Sequence, residues 1–238
     1  MYLHLKKVNK VMLLNFVYKI YYKFIAINSK WKKVYNNSFY SIFLTFVRLV
    51  YYRYNNKNII AHRRTIIRGL NNINIYDGKL SIGVNYIGFV HDYDITFLNV
   101  NGKLEIFGNV SIGRGCRFDI NNKAIVKIGK GTYINPLTFI IIMHGLQIGE
   151  NCAISWNCQF LDEDFHQLDY EGKAVKNNNS IYVGNKVWIG SNVTILKGAY
   201  ISSESVVAAN SVVIGKFEKK GVLIAGNPAK VIKEGVTW

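Results

Sequence analysis

Between residues 183 and 213 an aliphatic side chain returns every six positions: Val183, Ile189, Ile195, Ile201, Val207 and Val213. A helix repeats its apolar face at three and four residues, and a half-buried strand alternates by two. Six is three strand periods, and a fixed period longer than either marks a unit that stacks on copies of itself. Four residues after each aliphatic stands a mostly small residue, namely Val187, Val193, Ala199, Ser205 and Ser211. That is the second inward position of a short strand. Three residues after the aliphatic comes a corner, where the chain often needs positive φ and Gly or Asn adopts it with least strain.

The same hexads recur further back, beginning at Ile106, Ile112, Ile128, Ile134, Ile148 and Ile154. Of eleven units from Ile106 to Val207, eight have Gly or Asn at the corner; Leu137, Lys186 and Glu204 are the exceptions. Such regularity implies a coil with corners, not a flat sheet. Three insertions interrupt it. Four residues are added after Phe118, around Asn121, Asn122 and Lys123; two are added after Ile140; and a long polar excursion occupies 161–182. Coils supply rigidity and loops carry chemistry, so that excursion is where a reactive group is expected.

Three stretches carry a resemblance to a known family: VWIGSNV at 187–193, AGNPAKVI at 225–232 and DEDFH at 162–166. On these the chain resembles the hexapeptide-repeat acyltransferases, closest to the sugar and polysaccharide O-acetyltransferases such as the galactoside and maltose enzymes. The likeness covers roughly the last two-thirds of the sequence, and its motifs are specific when they fall in the expected context. It implies an all-β repeat domain, a left-handed parallel β-helix preceded by an α-helical segment. It also implies a homotrimer with active sites between subunits, and transfer of an acetyl group from acetyl-CoA to a saccharide acceptor.

Composition divides the chain unevenly. The net charge is +16, yet residues 1–76 contain fourteen Lys and Arg and no Asp or Glu, so the remainder is almost neutral. The expected organisation is a basic amphipathic helical segment at 1–60, the β-helix at 61–215, and a tail at 216–238 that packs on the last coil. Two apolar, aromatic runs, 11–27 and 39–52, each contain Lys or Arg, and neither has the twenty nearly uncharged residues a membrane span needs. Two readings of 1–60 stand: packing against the domain or a trimer neighbour, or lying on an anionic membrane surface. The basic and aromatic content has no nucleic-acid motif beside it, so nucleic acid is not expected. Nothing in the cysteine spacing argues for disulfides, so a reducing, cytoplasmic location is expected, peripheral at the inner face of a bacterial membrane on the second reading. Residues 61–105 read as a ragged entry to the coil, with a polar cluster at His91, Asp92, Tyr93 and Asp94.

Acyl transfer to a hydroxyl needs a base for the acceptor proton and a donor for the developing oxyanion. Histidine suits the first role near neutral pH. Of His4, His62, His91, His144 and His166, the last lies in the long excursion among carboxylates. In the family it resembles, the matching histidine is the general base; of the carboxylates beside it, Asp162 or Asp164 is the orienting partner, and spacing does not choose between them. His144 falls about one coil earlier and is assigned to the acceptor side, together with Asn135 and Trp188. The resemblance implies that Ser191, after Gly190, offers its backbone N–H to the thioester oxygen. It implies that Ala208 and Ala209 flank the pantetheine arm and that Lys216 and Lys230 meet the phosphates of coenzyme A. Here VIGKF at 213–217 replaces the family's Val-Thr-Lys-Asp and moves the lysine by one position. Cys116, Cys152 and Cys158 each fall at the small inward position and read as core, and no histidine pair has the spacing of a metal site. The alternatives are N-acetylation of an amino sugar, for which no nucleotide-binding loop is found in 1–80, and a non-catalytic β-helix scaffold.

Overall fold

A computed structural model describes residues 39–85, 88–166, 169–171, 173–174 and 180–238. The chain divides into two compact units, Met1–Phe43 and Leu44–Trp238. The helical run expected at 11–27 lies outside the described residues. The second run forms a helix, Phe39–Tyr54. It ends in a Schellman motif: Asn56 turns left-handed at φ 55, its N–H reaches Arg53 O at 3.0 Å, and Lys57 N–H reaches Tyr52 O at 2.8 Å. These bonds satisfy carbonyls that the last helical turn leaves without partners. Tyr52 is buried, and the Arg48 guanidinium donates to the carbonyls of Arg63 and Thr65. No helix among the described residues is long and apolar enough to cross a membrane.

Beyond the helix the expected all-β coil forms. Parallel strands stack into three faces. The first face begins with Ile59–Ala61 and Leu80–Ile82 and runs through Trp188–Ile189 to Val222–Gly226. The second runs from Thr65–Arg68 to Val212–Val213, and the third from Ile73–Tyr76 to Lys216–Phe217. Register reproduces the sequence arithmetic. In the last coils Val183 pairs with Ile201, Ile189 with Val207 and Ile195 with Val213, each eighteen residues on, which is three hexads. Ile112 pairs with Ile134, four residues further than three hexads. Ile134 pairs with Ile154, two further, and Ile154 with Ile189 across the long excursion.

The segment read as a ragged entry is two complete coils. Strands begin at Ile59, and Ile82 pairs with Ile112 across an insertion of twelve residues beyond three hexads. That insertion breaks the six-residue count without breaking the stack. Its His91–Asp94 cluster is a self-bonded turn, with His91 N–H on Asp94 Oδ2 at 2.8 Å. Asp92 pairs with the buried Arg114 at 2.8 Å. The tail expected on the last coil forms an antiparallel strand, Ala229–Glu234, along Val222–Gly226.

The core is a set of aliphatic ladders. On the first face Ile82, Ile112, Ile134, Ile154, Ile189, Val207 and Ile224 lie one above another, each at most 2% exposed. Each such side chain contributes about 1.5–3 kcal/mol by leaving water. That gain exceeds the strain at the corners, which are left-handed whether or not the residue favours it. Leu137, Lys186 and Glu204, the three exceptions to the Gly/Asn rule, have φ of 63, 52 and 65. Only the corner expected at Asn109 differs, the positive φ falling one residue earlier at Gly108.

The three cysteines are buried in the coil interior. Their thiols contact carbonyls of the next coil, Cys152 Sγ on Gly184 O at 3.0 Å and Cys158 Sγ on Gly190 O at 3.1 Å. Burial pushes the Cys116 thiol up to about 12 and Cys158 to about 11, and raises Cys152. All three stay protonated at neutral pH, which suits packing and not nucleophilic chemistry.

Two predictions follow from the coil. Replacing Glu204 by Asn removes a side chain that resists the left-handed corner and is expected to raise stability by about 0.5–1 kcal/mol, read as the denaturant midpoint. His62 is 1% exposed, and burial, followed by the nearby Arg114 charge, depresses its pKa to about 3. Between pH 6.5 and 3 the unfolded chain therefore binds a proton that the folded chain does not, and stability falls as pH falls. The stability gap between wild type and His62→Gln should narrow by up to about 3 kcal/mol from pH 7 to pH 4.

Candidate active site

The long excursion leaves the coil at the corner between the second and third faces, and Asp162, Glu163 and Asp164 at its start are each tied down. Asp162 is fully buried. Its two oxygens accept the N–H groups of Met143, His144 and Gly145, at 2.7, 2.8 and 2.7 Å, from the corner one coil earlier. Glu163 turns the other way: its Oε2 meets His144 Nε2 at 2.8 Å, and its Oε1 accepts Asp164 N–H at 2.9 Å. The His144 hydrogen bond holds the Glu163 carboxyl below the usual carboxylate range. Asp164 pairs with Lys197, from the corner one coil later. The carboxylate run thus rivets three successive coils at one corner.

His166 follows two residues on, exposed, after Phe165 at φ 62. The two histidines therefore sit at the same corner but in different settings. His144 is partly buried beside a fixed carboxylate, and His166 stands outward on the excursion. Residues 167–168, 172 and 175–179 of that excursion lie outside the described residues.

A second assembly occupies the first face and its turn toward the second. It is a groove of about 540 Å³ that collects Asn135, Trp188, Gly190, Ser191, Ala208 and Ala209. Its floor is low because the residues are small. A Cβ on Gly190 would lie 2.6 Å from Ala209 N and 2.9 Å from Val207 O, so the backbones of adjacent coils close up there. Ser191 is partly exposed, and among the described residues no acceptor meets its N–H. The walls are aromatic: Tyr133, Trp156, Trp188 and Trp238. Trp188 Nε1 donates to Ser155 Oγ at 3.2 Å, Trp238 Nε1 donates to Lys186 O at 3.0 Å, and the two indoles lie 6.2 Å apart.

Of the residues singled out in the sequence, the structure gathers six in this groove and His144, Asp162, Asp164 and His166 at the other corner. Lys216, on the third face, and Lys230, on the terminal antiparallel strand, are not part of the groove lining. The groove and the histidine corner are separated by the second face, whose strands of two to five residues span about 7–17 Å. Sequence reasoning missed Glu163, because its partner lies a coil away; the coil length would have pointed to it, since Ile141 pairs with Leu161 and so brings 143–145 level with 163–165. It also missed Trp238, which reaches the groove only because the terminal strand doubles back.

No protein-family model matches the chain. An uncharacterized 24.8 kDa protein in the cps region of Klebsiella pneumoniae is 39% identical over 192 residues, 80% of this chain and 84% of that protein. Among solved structures, the polySia-specific acetyltransferase NeuO superposes with a TM-score of 0.51 at 23% identity, covering 76% of this chain and 82% of that one. AntD, an N-acyltransferase from Bacillus cereus solved with dTDP-4-amino-4,6-dideoxyglucose and coenzyme A, gives a TM-score of 0.50 at 15% identity over 78% and 88% of the two chains. These two likenesses are of fold.

The rivet at Asp162 yields a prediction. Asp162→Asn replaces one acceptor oxygen with an amide that points hydrogens at backbone N–H groups. It is expected to destabilise the chain by about 2–4 kcal/mol, checked by denaturant unfolding, whereas Asp164→Asn, at the outer pair, should change stability by about 1 kcal/mol or less.

Proposed function

The chain belongs to the same family as the Klebsiella pneumoniae cps-region protein and has the left-handed β-helix fold of the hexapeptide-repeat acyltransferases; from that premise we propose that it transfers the acetyl group of acetyl-CoA to a sugar hydroxyl of a bacterial surface polysaccharide or its precursor. The observation that carries this reading is the groove on the first face, with its small-residue floor and a backbone donor at Ser191 that meets no acceptor among the described residues.

The groove residues fit the donor. A pantetheine arm is slender, and Gly190, Ala208 and Ala209 offer no bulk to block it. The thioester supplies an activated acyl carbon. The Ser191 N–H, fixed on a rigid corner, suits the oxyanion that develops there, because a preorganised donor need not reorient during the reaction. His166 takes the proton of the acceptor hydroxyl as its oxygen bonds to the acyl carbon; the C–S bond breaks, and the proton passes to the departing thiolate. Asp164, held by Lys197, and Asp162, held by backbone amides, keep the base of the excursion in place. Direct transfer is favoured because all three cysteines are core residues whose thiols remain protonated.

The separation of the groove from the histidine corner on one chain supports a homotrimer in which the corner of one subunit meets the groove of the next. Acetyl-CoA supply favours a cytoplasmic location. His166→Ala is expected to lower kcat by 10²–10⁴-fold with an unchanged unfolding midpoint, measured as free thiol released from acetyl-CoA in the presence of a saccharide. Near-wild-type turnover would remove His166 from the base role.

A further inference from the structure

A second depression lies on the third face, directly beside the His144–Glu163 pair. It has a volume of about 350 Å³ and is lined by Lys123, Lys127, His144, Gln147, Ser180 and Tyr182. That volume is within the range of small-molecule sites. We propose that it is the acceptor subsite, and that it selects a saccharide carrying a negative charge; this rests on the acetyltransferase reading above and names the acceptor class for it.

Three features carry the inference. The first is charge. Lys127 is 46% exposed, and its ion-pair partner among the described residues, Glu105, stands 3.9 Å away, at the outer limit of an ion pair. Glu163, the other carboxylate nearby, is already taken up by His144. The second feature is the origin of Lys123. It belongs to the four-residue insertion at this corner, whose turn is fixed by Ala124 N–H on Asn121 O at 2.9 Å and by Asn121 N–H on Ile142 O at 2.9 Å. An insertion that adds nothing to the core thus holds an exposed cation one coil before His144. Two lysines lining one depression attract an anion.

The third feature is shape. The Tyr182 and Tyr200 rings stack at 4.6 Å and 11°, which leaves the opposite face of Tyr182 toward the preceding coil. There Gln147 is its register partner. Beside Gln147, Gly145 carries no side chain, and Ser180 covers it: a Cβ there would lie 2.8 Å from Ser180 Oγ. A pyranose ring set in the depression meets Tyr182, Gln147 and the two lysines that line it. An acceptor seated there lies against the corner that bears both histidines, which is what proton removal requires.

The test is equilibrium binding to the full chain, independent of turnover. Three probes are titrated calorimetrically at low and high salt: a uronate oligosaccharide, glucose 6-phosphate and a neutral malto-oligosaccharide. The expected result is that at least one acidic probe binds, that its affinity falls with salt, and that Lys123→Gln with Lys127→Gln weakens it at least tenfold while the paired Lys→Arg changes retain it. Whichever acidic probe binds identifies carboxylate or phosphate as the charge carrier. Equal binding of the neutral probe, lysine-independent binding, or no binding of either acidic probe overturns the proposal. Lysine-dependent binding without thiol release from acetyl-CoA would instead contradict the acetyltransferase reading alone.

Discussion

Each coil must turn three times in about eighteen residues while leaving its inward side chains in line with those above and below. The left-handed corner is what makes this possible. It redirects the chain from one face to the next within one residue, so that successive short strands can each present side chains to a narrow interior. The aliphatic ladders supply the free energy, and the corners supply the geometry. Where the two conflict the ladders prevail: Leu137, Lys186 and Glu204 adopt a conformation that their side chains disfavour by about 1–2 kcal/mol, because releasing the corner would unseat buried neighbours such as Ile134, Val183 and Ile201.

The candidate site grows out of the same constraint. The aliphatic ladders fill the interior of the described coils, so chemistry is confined to outer faces and to insertions at corners. The groove on the first face exists where adjacent coils approach closely and the side chains are small. The histidine corner exists because an insertion leaves the stack at Asp162 and is anchored back to it, by backbone amides of the coil before and by Lys197 of the coil after. Anchoring on both sides gives an exposed excursion a fixed base, which a loop needs if it is to place a catalytic group.

Much of this was legible in the sequence because period six survives any inspection that counts it. Coil register from Ile106 onward, the lengths of the insertions and the gathering of Gly190, Ser191, Ala208 and Ala209 all follow from that count. Other features were hidden for physical reasons. The two coils from Ile59 to Phe107 escaped because an insertion after Ile82 breaks the count while leaving strand pairing intact. The corners at Lys186 and Glu204 were opposed by local preference and imposed by packing. The His144–Glu163 contact and the arrival of Trp238 beside Trp188 both depend on which residues become neighbours across coils, which composition and spacing report only once the register is known.

The account turns on one chain supplying a groove and a different chain supplying the histidine that faces it. Mixing two inactive variants tests this most directly: His166→Ala, which keeps the groove, and Ala208→Trp, which fills the groove and keeps the histidine. After dissociation and reassembly of an equimolar mixture, about a quarter of the sites of a cyclic oligomer would pair an intact groove with an intact histidine, and thiol release should return to about that fraction of wild type. A mixture as inactive as its components, with both variants folded and assembled, would contradict the account.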